Sequence, residues 1–218
     1  MGPFPDGVYR AQFPYYYRNP EGMPQEAALD YYLNSIKDVF EQCGPADSIA
    51  AIVVEPLQGE GGFIPAPIEW VKAVRKICDE NGILLVADEV QTGFCRTGRM
   101  FATQYWEEAG VQPDILATAK SIAAALKTIE IMERDDLAGC SCEIGEKVSK
   151  RFNEWKEKYP VIGDVRGLGG MIGLEFVKDQ KSKEPYPEFS AAVISGCAKK
   201  GLMIEGAGTY GNVIRFLA

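Results

Sequence analysis

The sequence predicts an α/β fold: a mostly parallel sheet followed by a smaller α+β unit. Three observations lead there. Two short, continuously apolar runs, "SIAAIVVEP" (48–56) and "ILLVADE" (83–89), flank a stretch with helical periodicity. A third run, "PDILATAK" (113–120), follows a second candidate helix. From about residue 126 the pattern changes to long amphipathic helix, paired strands, helix and a last strand.

The elements follow in order. The first strand closes at Pro56, which has no N–H to offer a ladder. "PIEWVKAVRKICDENG" is apolar at Ile68, Val71, Val74, Ile77 and Cys78, with Gly82 as its stop. The run "ILLVADE" completes a βαβ unit with a right-handed crossover. Because both runs are apolar without alternation, both faces of the sheet are expected to be covered. "GRMFATQYWEEAG" (98–110) reads as another crossover helix and 113–120 as a third parallel strand. Residues 1–125 form the expected larger unit and 126–218 the smaller one. In the latter, the segment from Lys127 to Pro160 reads as one long amphipathic helix or two. "VIGDVRGLGGMIGLEFV" (161–177) reads as a strand pair turning at Gly167 to Gly170. "EFSAAVISGCAKKG" (188–201) reads as a helix stopped by Gly201, and "NVIRFLA" as a final strand.

Composition excludes several functions. In 218 residues with 46% hydrophobic content there is no apolar run of the ~20 residues needed to cross a bilayer. "MGPFPDGVYRAQF" lacks the parts of a signal peptide, so a cytoplasmic protein without a membrane partner is expected. Lys plus Arg number 23 against 31 Asp plus Glu, and a net charge of -8 disfavours nucleic acid. The six cysteines lack C-x-x-C pairs and read as reduced thiols; "CSC" (140–142) is a weak metal hint, and no metal is expected. There is no histidine, which removes Ser-His-Asp and Cys-His nucleophile systems and histidine bases.

What chemistry remains is set by the strand ends. Glu55 ends the first strand, Asp88 the second and Lys120 the third, all at the carboxyl edge where open parallel sheets bind ligands. A desolvated lysine is a nucleophilic amine suited to Schiff-base formation, and a carboxylate in such a cleft needs a cationic partner. Pyridoxal phosphate needs both groups: a lysine for its aldehyde and an acid opposite its ring nitrogen.

The blocks "VVEPLQGEGGF" (53–63), "LLVADEVQTGFCRTGRMFA" (84–102) and "PDILATAKSIA" (113–123) resemble those of the class III pyridoxal-phosphate aminotransferases. This is the family of ornithine, acetylornithine and 4-aminobutyrate aminotransferases. The resemblance implies part of a type I pyridoxal-phosphate transferase fold. It further implies Asp88 against the pyridinium nitrogen, Val90 on the ring face, Gln91 at the phenolic oxygen and Lys120 as the Schiff-base lysine. "GNVIRFLA" (211–218) resembles the block whose arginine binds substrate carboxylate, here Arg215, and Glu55 matches the glutamate that pairs with it. The implied reaction transfers an amino group between an amino acid, including an ω-amino acid such as 4-aminobutyrate or ornithine, and a 2-oxo acid. A shared-site homodimer is the implied assembly. Cys95 sits where the family usually has glycine, a strained choice if its φ is positive.

After "AKSIA" the family's Gly-rich turn and threonine loop have no counterpart, so an internal deletion of a few tens of residues is expected, along with truncation at both ends. "LQGEGG", "RGLGGMIG" and "GAGTYG" match turns and a hairpin rather than phosphate loops. Two alternatives stay open: an amino-acid racemase or epimerase of the same family, and a degenerate, non-catalytic homologue.

Overall fold

The computed structural model describes residues 6–118 and 122–218. Its first helix, α1 (Gln25–Gln42), has no counterpart in the sequence reading. It places Ala28, Tyr32 and Ile36 in the core. β1 (Ala51–Val54) is shorter than the apolar run that contains it. Past Pro56 the chain turns into a two-residue hairpin, β2 (Leu57–Gln58) and β3 (Ile64–Pro65). α2 (Ile68–Asn81) buries Trp70, Val71, Val74 and Cys78 along one stripe and ends at Gly82, whose φ of 68° is the left-handed conformation glycine adopts without strain. β4 (Leu84–Asp88) then pairs parallel with β1 from Ala51↔Leu84 to Val54↔Ala87.

The second crossover helix is much shorter than residues 98–110. α3 (Thr103–Glu107) has five residues, because residues 89–101 are spent in turns that tie the carboxyl end of β4 to the rest of the chain. β5 (Ile115–Ala117) completes a parallel sheet of order β1-β4-β5.

The expectation of cover on both faces is corrected. Val54, Leu85 and Ala87 face a core built with α1, α2 and Trp106 of α3. The opposite side leaves Val53 64% exposed, with Leu84 and Ile115 also exposed; Leu116, in register with Ala87, is exposed on the other side. Among the described residues the helices of this unit lie against one face, and an unbroken apolar run does not encode which face receives them.

The remaining elements match their expected types, except that a short strand over Glu205–Ala207, without a counterpart in the sequence reading, precedes the last one. α4 (Ile122–Arg134) and α5 (Leu137–Lys158) divide the long amphipathic segment at Asp136, whose side chain caps α5 by accepting from the Gly139 amide at 3.1 Å. β6 (Ile162–Leu168) and β7 (Met171–Phe176) form an antiparallel pair. α6 (Pro187–Ala198), β8 (Glu205–Ala207) and β9 (Val213–Leu217) follow, giving a second sheet of order β6-β7-β9-β8. Ile162, Leu174, Phe176 and Ile214 form its core with Phe152 and Phe189. Leu57, Phe63 and Met171 pack together, so the β2–β3 hairpin seats against β7. That contact positions the site. Among the described residues no helix is long and apolar enough to cross a membrane.

Candidate active site

Glu55 and Asp88 lie side by side at the carboxyl edge, since β1 and β4 run parallel and in register up to Val54↔Ala87. Burial pushes the Glu55 carboxyl up; the Gly59 amide, donating to it at 2.9 Å, opposes this, while the charges of Asp88 and Glu60 add to the rise. Asp88 Oδ1 accepts from the Val90 amide at 3.0 Å, an Asx-type turn that swings the chain off the sheet. Val90 is thereby left 53% exposed. Glu89, between them, points the other way. Fully buried, it accepts from the Thr103 amide at 2.7 Å and from the Thr92 hydroxyl, which pins the loop from both sides.

Gln91 turns back over the hairpin. A Cβ on Gly59 would fall on its side-chain amide, so the close approach depends on the missing side chain there. Its Oε1 is buried and has no hydrogen-bond partner. Buried polar atoms are rarely left unpaired, and those that are call for a ligand or a functional reason. Asp88, Val90 and Gln91 thus lie together at and just beyond the end of β4. Lys120 lies outside the described residues.

Arg215, in the middle of β9, is flanked by Gly173 of β7 and Glu205 of β8. Only 10% of its side chain is exposed, and its guanidinium lies 5.8 Å from the Phe63 ring centroid. The expected pairing with Glu55 is corrected. Arg215 Nη1 donates to Glu60 Oε1 at 2.6 Å, and Nη2 to Glu205 Oε2 at 2.9 Å. Glu55 is instead occupied by Gly59. The reason is the hairpin: the Gly208 amide donates to the Glu60 carbonyl at 2.9 Å, docking the loop on the β8–β9 turn and delivering Glu60 to Arg215.

Sequence reasoning missed a buried charge network beside this site. Glu175 of β7 accepts from Arg18 Nε at 2.6 Å, from Arg166 Nη1 at 2.7 Å and from the Tyr15 hydroxyl. Burial raises its carboxyl, but Arg166, the Tyr15 hydrogen bond and Arg18 outweigh that and hold it below the ordinary carboxylate range. Burial pushes the Tyr15 hydroxyl up, with the Glu175 charge adding to the rise. Arg166 also reaches the Gly62 carbonyl at 2.9 Å, so the network ties the N-terminal segment, the second sheet and the loop below Arg215 together. The available signal was a carboxylate inside the apolar "MIGLEF" and an arginine after three tyrosines in "YYYR".

Cys95 has φ 68° and its neighbour Phe94 φ 60°, so the anticipated strain is present. The loop around it is held by Ser141 of α5, whose hydroxyl donates to the Arg96 carbonyl at 3.0 Å and accepts from the Gly170 amide at 2.9 Å. Cys142 donates to the Gly98 carbonyl at 3.5 Å, a packing role for one thiol of "CSC".

The chain is similar to known proteins over its whole length. A model of the family described as "Aminotransferase class-III" matches residues 1–126 and 121–218, two stretches that overlap at 121–126, shortly after β5. A probable 4-aminobutyrate aminotransferase of Bacillus subtilis (strain 168) is 37% identical over 252 residues, covering 100% of this chain and 57% of that protein. The 5-aminovalerate aminotransferase DavT of Pseudomonas putida is 38% identical over 252 residues, with the same coverage. Both alignments are longer than the 218-residue chain, so these relatives carry segments with no counterpart here. The chain spans little more than half the length of the curated relatives it matches. The crystal structure of an amine transaminase from an uncultivated Pseudomonas species, in PLP-bound form, superposes with a TM-score of 0.81 at 29% identity, covering 94% of this chain and 55% of that one.

Proposed function

The chain belongs to the class III aminotransferases, and on that premise we propose that it forms the ring-binding and carboxylate-binding walls of a pyridoxal-phosphate-dependent transaminase. One observation carries the reading: an acid, an exposed valine and a buried, unpartnered amide oxygen converge at the end of β4. These fit a protonated pyridine ring with a polar substituent. When bound, pyridoxal phosphate supplies an electron sink that lets a substrate Cα–H lose its proton while amino and oxo groups exchange.

The chain's own residues would divide the work. Asp88 holds negative charge against the ring nitrogen, Val90 excludes water from the ring face, and Gln91 orients the ring oxygen. Lys120 anchors the aldehyde and carries the proton to and from the substrate carbon. Arg215 binds the carboxylate of the amino acid or 2-oxo acid. The neighbouring carboxylates suit an ω-amine such as 4-aminobutyrate or ornithine in the other half-reaction, since an acidic edge attracts a cationic donor. The proposal extends to a cytoplasmic homodimer and to two units divided near residue 126, with α4 crossing that boundary. An exposed apolar sheet face supports self-association, at roughly 25 cal/mol per Å² of apolar area covered.

The test is glutamate formation from 4-aminobutyrate and 2-oxoglutarate. Arg215→Ala is expected to raise KM for 2-oxoglutarate more than KM for a neutral amine donor, and equal effects would remove Arg215 from this role. A second reading, a non-catalytic homologue, draws on the uncovered face and on the division of the family match into two stretches. It predicts no glutamate at any cofactor concentration.

A further inference from the structure

Arg215 is held in an unusual way: two carboxylates serve one guanidinium. Glu60 and Glu205 are 79% and 74% exposed, while the arginine between them is 10% exposed. The triad therefore carries one more negative than positive charge. The two glutamates are not equivalent. Glu60 takes Nη1 from the loop, whereas Glu205 takes Nη2 from the directly paired position on β8. In a planar guanidinium Nε–H and one Nη2–H point along the same edge, the fork on which a carboxylate binds with two parallel hydrogen bonds. Arg215 Nε is buried and has no partner. Glu205 thus sits on one prong of a fork whose other prong is unused. A ligand carboxylate entering that fork must displace Glu205, while Glu60 can keep Nη1.

We propose that Glu205 is a specificity-determining residue that competes with substrate carboxylate for the Nε–Nη2 edge of Arg215 and so sets how tightly the cleft holds a carboxylate rather than an amine. The proposal rests on reading Arg215 as the carboxylate-binding residue. Glu205 is itself 74% exposed and Arg215 keeps Glu60 when it leaves, so its departure costs little, and its removal is expected to tighten carboxylate binding about threefold. Removing Glu60 frees only Nη1 and gives a smaller gain. A cationic ligand responds in the opposite sense, because each glutamate removed deletes a negative charge beside it.

Titration calorimetry with sodium glutarate, a dicarboxylate that cannot transaminate, tests this on the purified chain with and without pyridoxal phosphate. Glu205→Gln and, as a second variant, Glu205→Ala should each bind glutarate about threefold more tightly than the parent and n-butylamine no more tightly. Glu60→Gln should gain less, and Arg215→Gln should lose glutarate binding whether or not Glu205 is present. If Arg215→Gln abolishes binding but both Glu205 variants bind glutarate equally or more weakly, this proposal fails and the reading of Arg215 stands. If Arg215→Gln leaves binding intact, or no variant binds glutarate at all, both fail. A parallel gain for n-butylamine would mark a general loosening of the cleft and also overturn the proposal.

Discussion

The two sheets carry similarly apolar strands but handle them differently. In β7 all six residues are buried, including Glu175, because α5, α6 and the N-terminal segment close on it from several directions. In β4 only alternate residues are buried, and Val53 of its neighbour β1 is left in solvent. The antiparallel sheet thus holds Arg215 in a finished setting, while the parallel sheet presents Asp88, Val90 and Gln91 on an edge with one wall. The difference shows that apolar sequence specifies a strand's capacity to be covered, and tertiary partners decide whether cover arrives.

The comparison breaks most readily at Glu175. Glu175→Gln leaves Arg18 and Arg166 without their buried counter-charge and is expected to cost about 3–5 kcal/mol, read by denaturant unfolding. A loss under about 1 kcal/mol would mean the network is solvated and the two sheets are less different than described. The same carboxylate gives a pH dependence. Its folded pKa lies below that of an ordinary glutamate, so the unfolded chain takes up protons first as pH falls. The stabilisation is fully present above that value and disappears as pH falls through the lower folded value. Glu175→Gln should flatten acid unfolding in that window.

A smaller effect is expected at Cys95. Replacing it with glycine relieves a left-handed strain of about 1–2 kcal/mol, partly offset by the loss of a buried thiol. A net stabilisation of about 1 kcal/mol or less should appear as a higher Tm. The smallest effect belongs to the uncovered face. Val53→Ser should change monomer stability by no more than about 0.5 kcal/mol, because the side chain is already in water. A loss of several kcal/mol would show that the face is covered in solution, and sedimentation across micromolar concentrations would identify a second copy as the cover.

Much of this arrangement was legible in the sequence, at particular residues. Gly82 ended α2, Pro56 ended β1, and Asp88 took the carboxyl edge, because helix stops and ladder donors act locally. Cys95 announced its own strain by standing where a positive φ was needed. The partner of Arg215 was not legible. Glu55 and Glu60 lie five residues apart in "EPLQGEGG", and only the hairpin and its docking through Gly208 decide which one arrives. Glu175 and Arg18 are likewise 157 residues apart, a pairing no local period encodes.

The central proposal, that the edge at Asp88 holds pyridoxal phosphate with Lys120 as its Schiff-base residue, is tested most directly by absorbance on adding the cofactor to the purified chain. A saturable band is expected that Lys120→Ala abolishes and that Asp88→Asn shifts and weakens. A chain that stays colourless in excess cofactor, or a band unaffected by Lys120→Ala, would contradict it.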